Sequence, residues 1–137
     1  MKDSEKSVVA VVGSYLLSVV LVQATDPLLS RIFPGEFVWG RVPSGTALIA
    51  STGLFVLVSI LCAWLCAHFA SGRVARHVFW FVVVGEAIIT LAIIHNWTQG
   101  WPLWYWLSWP LTWPVSCWIG LLLAGRRADS VTALIRT

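Results

Sequence analysis

The chain has 137 residues, of which 58% are hydrophobic and 11% are charged, and its formal net charge is +3. Soluble domains carry about 25% charged residues, and a soluble fold of this length would leave roughly a third of its chain surface exposed. The composition therefore excludes an ordinary soluble domain and favours a protein surrounded by membrane lipid. The basic residues form no stripe, so we expect no nucleic-acid partner.

Four apolar segments are long enough to cross a membrane, since a transmembrane helix needs about 20 mostly apolar residues. They cover residues 8–25, 45–70, 76–95 and 101–124. The predicted fold is all-α: a four-helix transmembrane bundle that forms a single transmembrane domain over residues 1–137.

The distribution of lysine and arginine predicts the orientation of this bundle. With four spans, both termini and the loop between spans two and three share one side of the membrane. The other side carries only Arg31 and Arg41. Because cytoplasmic loops are enriched in lysine and arginine, we predict an N-in/C-in protein with both termini in the cytoplasm. The expected location is a cell membrane, with the bacterial inner membrane preferred.

Span one carries Ser14 and Ser18, which are four residues apart and so share one face of the helix. Small residues let helices approach closely in lipid, so this face is predicted to pack against a neighbour. The pair Asp26-Pro27 predicts the end of the helix, because proline disfavours a helical conformation in the residue before it. Residues 26–44 are then an amphipathic outer loop. We expect span one to stay attached rather than to be removed as a signal peptide.

A group of polar residues is predicted on the outer side of the membrane. It comprises Asp26, Arg31, Glu36 and Arg41 of the outer loop, with His95 at the end of span three. Two acids and two arginines this close in sequence predict surface salt bridges, each of which contributes little. The alternative is a patch for a lipid headgroup or a periplasmic partner, in which the arginines bind phosphate with paired hydrogen bonds.

Span two follows Ser44, which is predicted to cap its first turn. Cys62 and Cys66 lie one turn apart inside this span, and Cys117 lies inside span four. None belongs to a CxxC pair, so the spacing indicates neither a metal site nor a disulfide framework. We expect these side chains to pack at helix contacts.

Glu86 is the one ionisable residue of span three that lies away from its ends. A charge at the centre of a membrane helix costs about 2.5–3.5 kcal/mol, so such residues face the bundle interior. No lysine or arginine shares its depth, so we expect a neutral carboxyl that donates a hydrogen bond. The residues expected at similar depth are Ser18, Ser59 and Thr112. Either Glu86 bonds a hydroxyl or a carbonyl freed by a proline, or it binds a proton, a cation or a polar ligand head.

Span four begins within a stretch, residues 97–118, that holds seven of the ten tryptophans. The upper ones fit the aromatic belt at the membrane interface. A deeper stripe lies at a depth where lipid does not require tryptophan, and it comprises Trp106, Trp109 and Trp113. It is predicted to pack against span one or three, to bind a flat ligand such as a quinone, pigment or isoprenoid lipid, or to dock a larger membrane partner.

Each deep indole N–H needs an acceptor. Pro110 and Pro114 each free the carbonyl four residues before them, and these carbonyls are the predicted acceptors.

Three functions are consistent with this sequence. The first is a non-enzymatic accessory or structural subunit, docking on a membrane protein or on a second copy of itself through the tryptophan-rich helix. The second is a small proton, ion or solute transporter or channel that uses Glu86. The third is binding of a quinone, pigment or lipid on the deep tryptophan stripe. No nucleophile and base, and no metal set, stand at a catalytic spacing, so we expect no enzyme activity, no catalytic residue and no cofactor.

Overall fold

The computed structural model describes residues 3–38, 40–70 and 73–135, and it describes side chains within residues 8–125. The chain forms four α-helices over this range: α1 (Asp3–Ile32), α2 (Gly45–Phe69), α3 (Val74–Asn96) and α4 (Leu103–Ile135), with a 3₁₀ turn at Trp97–Gln99. Each α-helix is long and apolar enough to span a membrane. The prediction of an all-α chain with four helices long and apolar enough to cross a membrane is thereby confirmed.

The predicted end of the first helix at Asp26-Pro27 is wrong, because α1 continues through Pro27 to Ile32. Proline removes a single helical hydrogen bond, the one that would reach the Gln23 carbonyl. Membrane helices tolerate that loss. Leu29, which is fully buried, anchors the following turn against the bundle. The outer connection is therefore residues 33–44 instead of 26–44.

This connection is closed by its own polar side chains and not by ion pairs. The Glu36 carboxylate accepts a hydrogen bond from the Ser44 amide at 2.6 Å, and the Arg41 guanidinium donates to the Gly35 carbonyl at 2.9 Å. No salt bridge forms among the residues that the structure describes, so the predicted surface salt bridges are wrong. The predicted cap of α2 is confirmed: the Ser44 hydroxyl accepts from the amide of Ala47 at 3.3 Å.

Helices α2 and α4 pack closely and run in the same direction. The Ser51 and Tyr105 hydroxyls are 3.0 Å apart, and a Cβ on Gly120 would stand 2.6 Å from the Ile60 carbonyl oxygen. Since the contacts on both helices advance together along the chain, the two axes are parallel. Only a glycine at position 120 allows the backbones to come this close.

The arrangement leaves space between the first and last helices. Helix α2 contacts each of the other three, and α3 contacts α1 and α4. In the described part of the chain, no Cα of α1 lies within 8 Å of a Cα of α4. The three cysteines are buried in the core at the opposite end of the bundle from the 33–44 connection, where Cys62, Cys66 and Cys117 pack with Phe81.

The last helix is longer than the sequence predicted. We expected it to end at Gly125, but its backbone remains helical to Ile135. A glycine within a helix costs about 1 kcal/mol relative to alanine, which the good helix formers around it offset.

Candidate functional site

A cavity of about 480 Å³ lies in the bundle between α1 and α4. It runs from the end of the bundle next to the 33–44 connection, where Asp26 and Gln99 line it, down to Tyr15 and Trp113. Asp26 and Tyr15 lie on the same helix, so their separation of about 16 Å gives the depth of the cavity. All four helices contribute to its wall.

One face of α1 forms the first wall of the cavity. Tyr15, Ser18, Val22 and Asp26 line it, and their spacing of three or four residues places them along a single stripe. The Ser18 hydroxyl donates to the Tyr15 carbonyl at 2.7 Å, which satisfies it within the helix. The sequence predicted that this face of α1 packs against a neighbouring helix. Ser14 and Ser18 are both buried, as expected for such a face, but Ser18 also borders the cavity.

Aromatic rings of α4, together with Trp101 just before it, form the opposite wall. Trp101 and Trp106 stack with their centroids 5.3 Å apart and their planes 12° apart, and Tyr105 meets Trp101 edge-on at 5.2 Å. Deeper in the cavity, Trp109 stacks on Phe55 of α2 at 5.9 Å. These distances lie within the range in which aromatic pairs attract. The rings thus support one another and do not depend on lipid to hold their positions.

Trp113 closes the inner end of the cavity. Its indole N–H donates to the Val82 carbonyl of α3 at 3.1 Å, and its ring occupies the space where a Cβ on Gly85 would stand. In a regular helix the Val82 carbonyl also accepts the amide of Glu86, so the indole uses its second lone pair. The predicted acceptor for this indole, a carbonyl freed by a proline of α4, is wrong, because α3 supplies the acceptor.

The indole N–H of Trp109 differs from that of Trp113 in its hydrogen bonding. Its indole nitrogen is buried, and among the described residues it has no hydrogen-bond partner. The nearby Tyr105 hydroxyl pairs with Ser51 instead. A buried polar group without a partner is uncommon in native proteins, and this one lies in the wall of the cavity.

The deep tryptophan stripe points inward. Trp106 and Trp113 are 2% and 3% exposed, and Trp109 is half-buried, whereas Trp118 lower on the same helix is 62% exposed. The stripe packs against α3, as one of the three interpretations predicted, and also against Phe55 of α2, which was not predicted.

Glu86 does not lie on the cavity wall; it is half-buried on α3. The three hydroxyls that were expected near it bond within their own helices: Ser18 to Tyr15, Ser59 to Phe55 and Thr112 to Ser108. Serine and threonine in a helix reach the carbonyl three or four residues earlier, and this local bond competes with bonds between helices. Among the described residues, no hydrogen bond joins Glu86 to any of these three hydroxyls.

The predicted outer patch is also divided. Asp26 lies on the cavity wall, while Arg31, Arg41 and His95 are exposed outside it and Glu36 is used to fold the connection. Because α1 continues past Pro27, Asp26 lies in the helix and borders the cavity together with Phe37 of the 33–44 connection.

Sequence reasoning missed Phe55 and Gly85 as residues of this site. A single phenylalanine in an aliphatic span gives no signal by itself. Gly85 could have been found, because a small residue in the middle of a span allows a large side chain of a neighbouring helix to approach. No family model, no curated protein and no solved structure matches the chain.

Proposed function

We propose that this small multi-pass membrane protein binds a hydrophobic, ring-bearing small molecule in the cavity between α1 and α4, without catalysis. The observation that supports the proposal is the aromatic wall of α4, which borders an open space of about 480 Å³ instead of filling it. Ligand sites have volumes of about 300–1,000 Å³ and are lined mainly by apolar and aromatic side chains with a few polar groups. The polar groups at the mouth include Asp26 and Gln99, and Tyr15 and Ser18 lie deeper in the cavity.

The proposed setting is a cell membrane, with the bacterial inner membrane preferred and both termini in the cytoplasm. The excess of lysine and arginine around the termini and the loop between α2 and α3 supports this orientation. The mouth of the cavity then opens toward the outer side, next to the 33–44 connection.

The accessory-subunit hypothesis has less support. It relied on the deep tryptophans as a docking face, and Trp106 and Trp113 are buried. A partner would have to use the exposed Trp104 and Trp118 instead. The transporter hypothesis relied on Glu86, which does not border the cavity.

The binding proposal is tested with the full chain in lipid nanodiscs, titrated with a short-chain benzoquinone while tryptophan fluorescence is recorded. Quinones quench indole emission, so a bound quinone gives a saturable component above the linear quenching by quinone dissolved in lipid. We expect such a component in the wild-type protein.

A matched pair of variants tests whether the quinone binds inside the cavity. Ala92 of α3 lines the cavity, whereas Ala87 of the same helix is exposed on its outer surface. Ala92→Phe fills the cavity and should abolish the saturable component, while Ala87→Phe should retain it. Absence of the component in the wild-type protein, or equal loss in both variants, would overturn the proposal.

A further inference from the structure

Among the described residues, the wall of the cavity carries a single charged group, Asp26. Asp26 lies on the wall, and within the described part of the chain neither lysine, arginine nor histidine borders the cavity. The Asp26 side chain is accessible at the mouth and forms no ion pair with any described residue. Arg41, an exposed cation of the outer connection, is engaged with the Gly35 carbonyl. The mouth therefore carries a negative charge that no described side chain neutralises.

The aromatic residues next to the mouth add to this negative potential. Trp101, Tyr105 and Trp106 form a single cluster, with centroid separations between 5.2 and 5.8 Å. The face of an aromatic ring carries the negative part of its quadrupole and attracts cations, with tryptophan the strongest. All three residues line the same cavity as Asp26.

The two amides at the mouth are held by hydrogen bonds within the protein. Gln99 donates its amide N–H to the Asn96 side-chain oxygen at 2.7 Å, and Asn96 in turn donates to the Ala92 carbonyl at 2.8 Å. Each amide thus uses one of its two N–H donors inside the protein. The side-chain oxygen of Gln99 remains available as an acceptor.

We propose that the molecule bound in this cavity is a lipophilic organic cation, whose charge pairs with Asp26 and lies against the ring of Trp101, the partly exposed member of this cluster. This inference rests on the proposed binding function and names the class of its ligand. A cation neutralises the Asp26 carboxylate at the mouth, where no described side chain does so. An anion would meet both the carboxylate and the negative ring faces, which suppresses its binding.

The test compares two probes of the same shape and opposite charge, tetraphenylphosphonium and tetraphenylborate, on the full chain in nanodiscs of zwitterionic lipid. Tetraphenylphosphonium should bind saturably and displace the benzoquinone, and tetraphenylborate should not displace it. Asp26→Asn should weaken binding of the cation about tenfold or more. Glu36→Gln, which removes an acid that does not line the cavity, should leave the affinities for the cation and the benzoquinone unchanged.

The outcomes separate this inference from the binding function. If the benzoquinone binds but tetraphenylborate displaces it as well as the cation does, or if Asp26→Asn leaves the cation affinity unchanged, the cation inference is overturned and the binding function stands. If the benzoquinone does not bind, the binding function fails, and the cation inference that rests on it fails as well. Should Asp26→Asn not fold, the comparison of the two probes on the wild-type protein still decides, and Asp26→Glu should retain cation binding.

Discussion

The indole ring of Trp113 on α4 lies in the space that any side chain at position 85 of α3 would occupy. The same indole donates its N–H to the Val82 carbonyl one turn earlier on α3, at 3.1 Å. Gly85 and Trp113 therefore form a complementary pair: the missing Cβ admits the ring, and the ring fixes the register of α4 against α3. This contact also forms the inner end of the cavity.

Gly85→Ala should destabilise the protein by about 1–3 kcal/mol, because the added methyl group overlaps the indole and must displace it. The measurement is thermal unfolding in detergent, followed by near-ultraviolet circular dichroism, which reports the packing of the tryptophans. Gly53→Ala is the control, since a Cβ on this exposed glycine of α2 meets nothing within 4 Å. Trp113→Phe introduced with Gly85→Ala should recover part of the loss. Equal melting temperatures for the two alanine variants would contradict the proposed pairing.

The two deep tryptophans around Phe55 should be required for stability. Trp109 and Trp113 both contact the Phe55 ring at centroid distances of 5.9 Å. Replacing both with leucine leaves unfilled volume beside α2 and α3, and we expect a loss of about 2–4 kcal/mol in the free energy of unfolding.

The matched control for this double variant uses two tryptophans of the same helix that face outward. Trp104 and Trp118 are exposed, so their replacement with leucine should change the free energy of unfolding by no more than about 0.5 kcal/mol each. If the inner and outer double variants melt at the same temperature in detergent, the inward stripe does not hold the helices together.

Helices and their apolar lengths were predictable from sequence, because hydropathy alone demands spans of this length. The end of α1 was not, since the local preference of Asp26-Pro27 for a break is small beside the burial of Leu29 one turn later. The sequence also could not predict that the deep tryptophans face inward. Lipid and protein core are similarly apolar, so the pattern of hydrophobic residues does not distinguish a lipid-facing side of a helix from a core-facing side. The cavity depends on which helices are diagonal neighbours, and no single-sequence pattern gives that.

Gly120 should be as sensitive as Gly85, but for a backbone reason. A Cβ there would stand 2.6 Å from the Ile60 carbonyl oxygen and 2.9 Å from the Trp64 backbone nitrogen. Backbone atoms cannot rotate away, so Gly120→Ala should push α4 from α2 and lower the free energy of unfolding by about 1–3 kcal/mol. Gly125→Ala on the same helix meets nothing within 4 Å and serves as the control in the same melting experiment. A Gly120→Ala variant as stable as its control would show that the helices are farther apart.

The Ser51–Tyr105 hydrogen bond should couple α2 to α4 weakly. The two hydroxyls are 3.0 Å apart, and Tyr105 is buried. Double-mutant cycles in a membrane protein give about 0.6 kcal/mol for such bonds between helices, and we expect a similar value here. The cycle combines Ser51→Ala with Tyr105→Phe and is read from the free energy of unfolding. A coupling energy of zero would mean that the two hydroxyls do not meet in the membrane.

Glu86→Gln should leave both binding and stability nearly unchanged. Glu86 is half-buried on α3 and does not line the cavity, so the benzoquinone affinity should stay within about twofold of the wild-type value. A neutral carboxyl and a carboxamide have similar shapes and both donate a hydrogen bond, so the free energy of unfolding should change by no more than about 0.5 kcal/mol.

Proton flux gives a second comparison of the wild-type protein with Glu86→Gln. Both proteins are placed in liposomes loaded with a pH-sensitive dye, and for both the flux should equal that of empty vesicles. A flux that is present in the wild-type protein and lost in Glu86→Gln would instead make Glu86 a proton carrier and favour the transporter hypothesis over ligand binding.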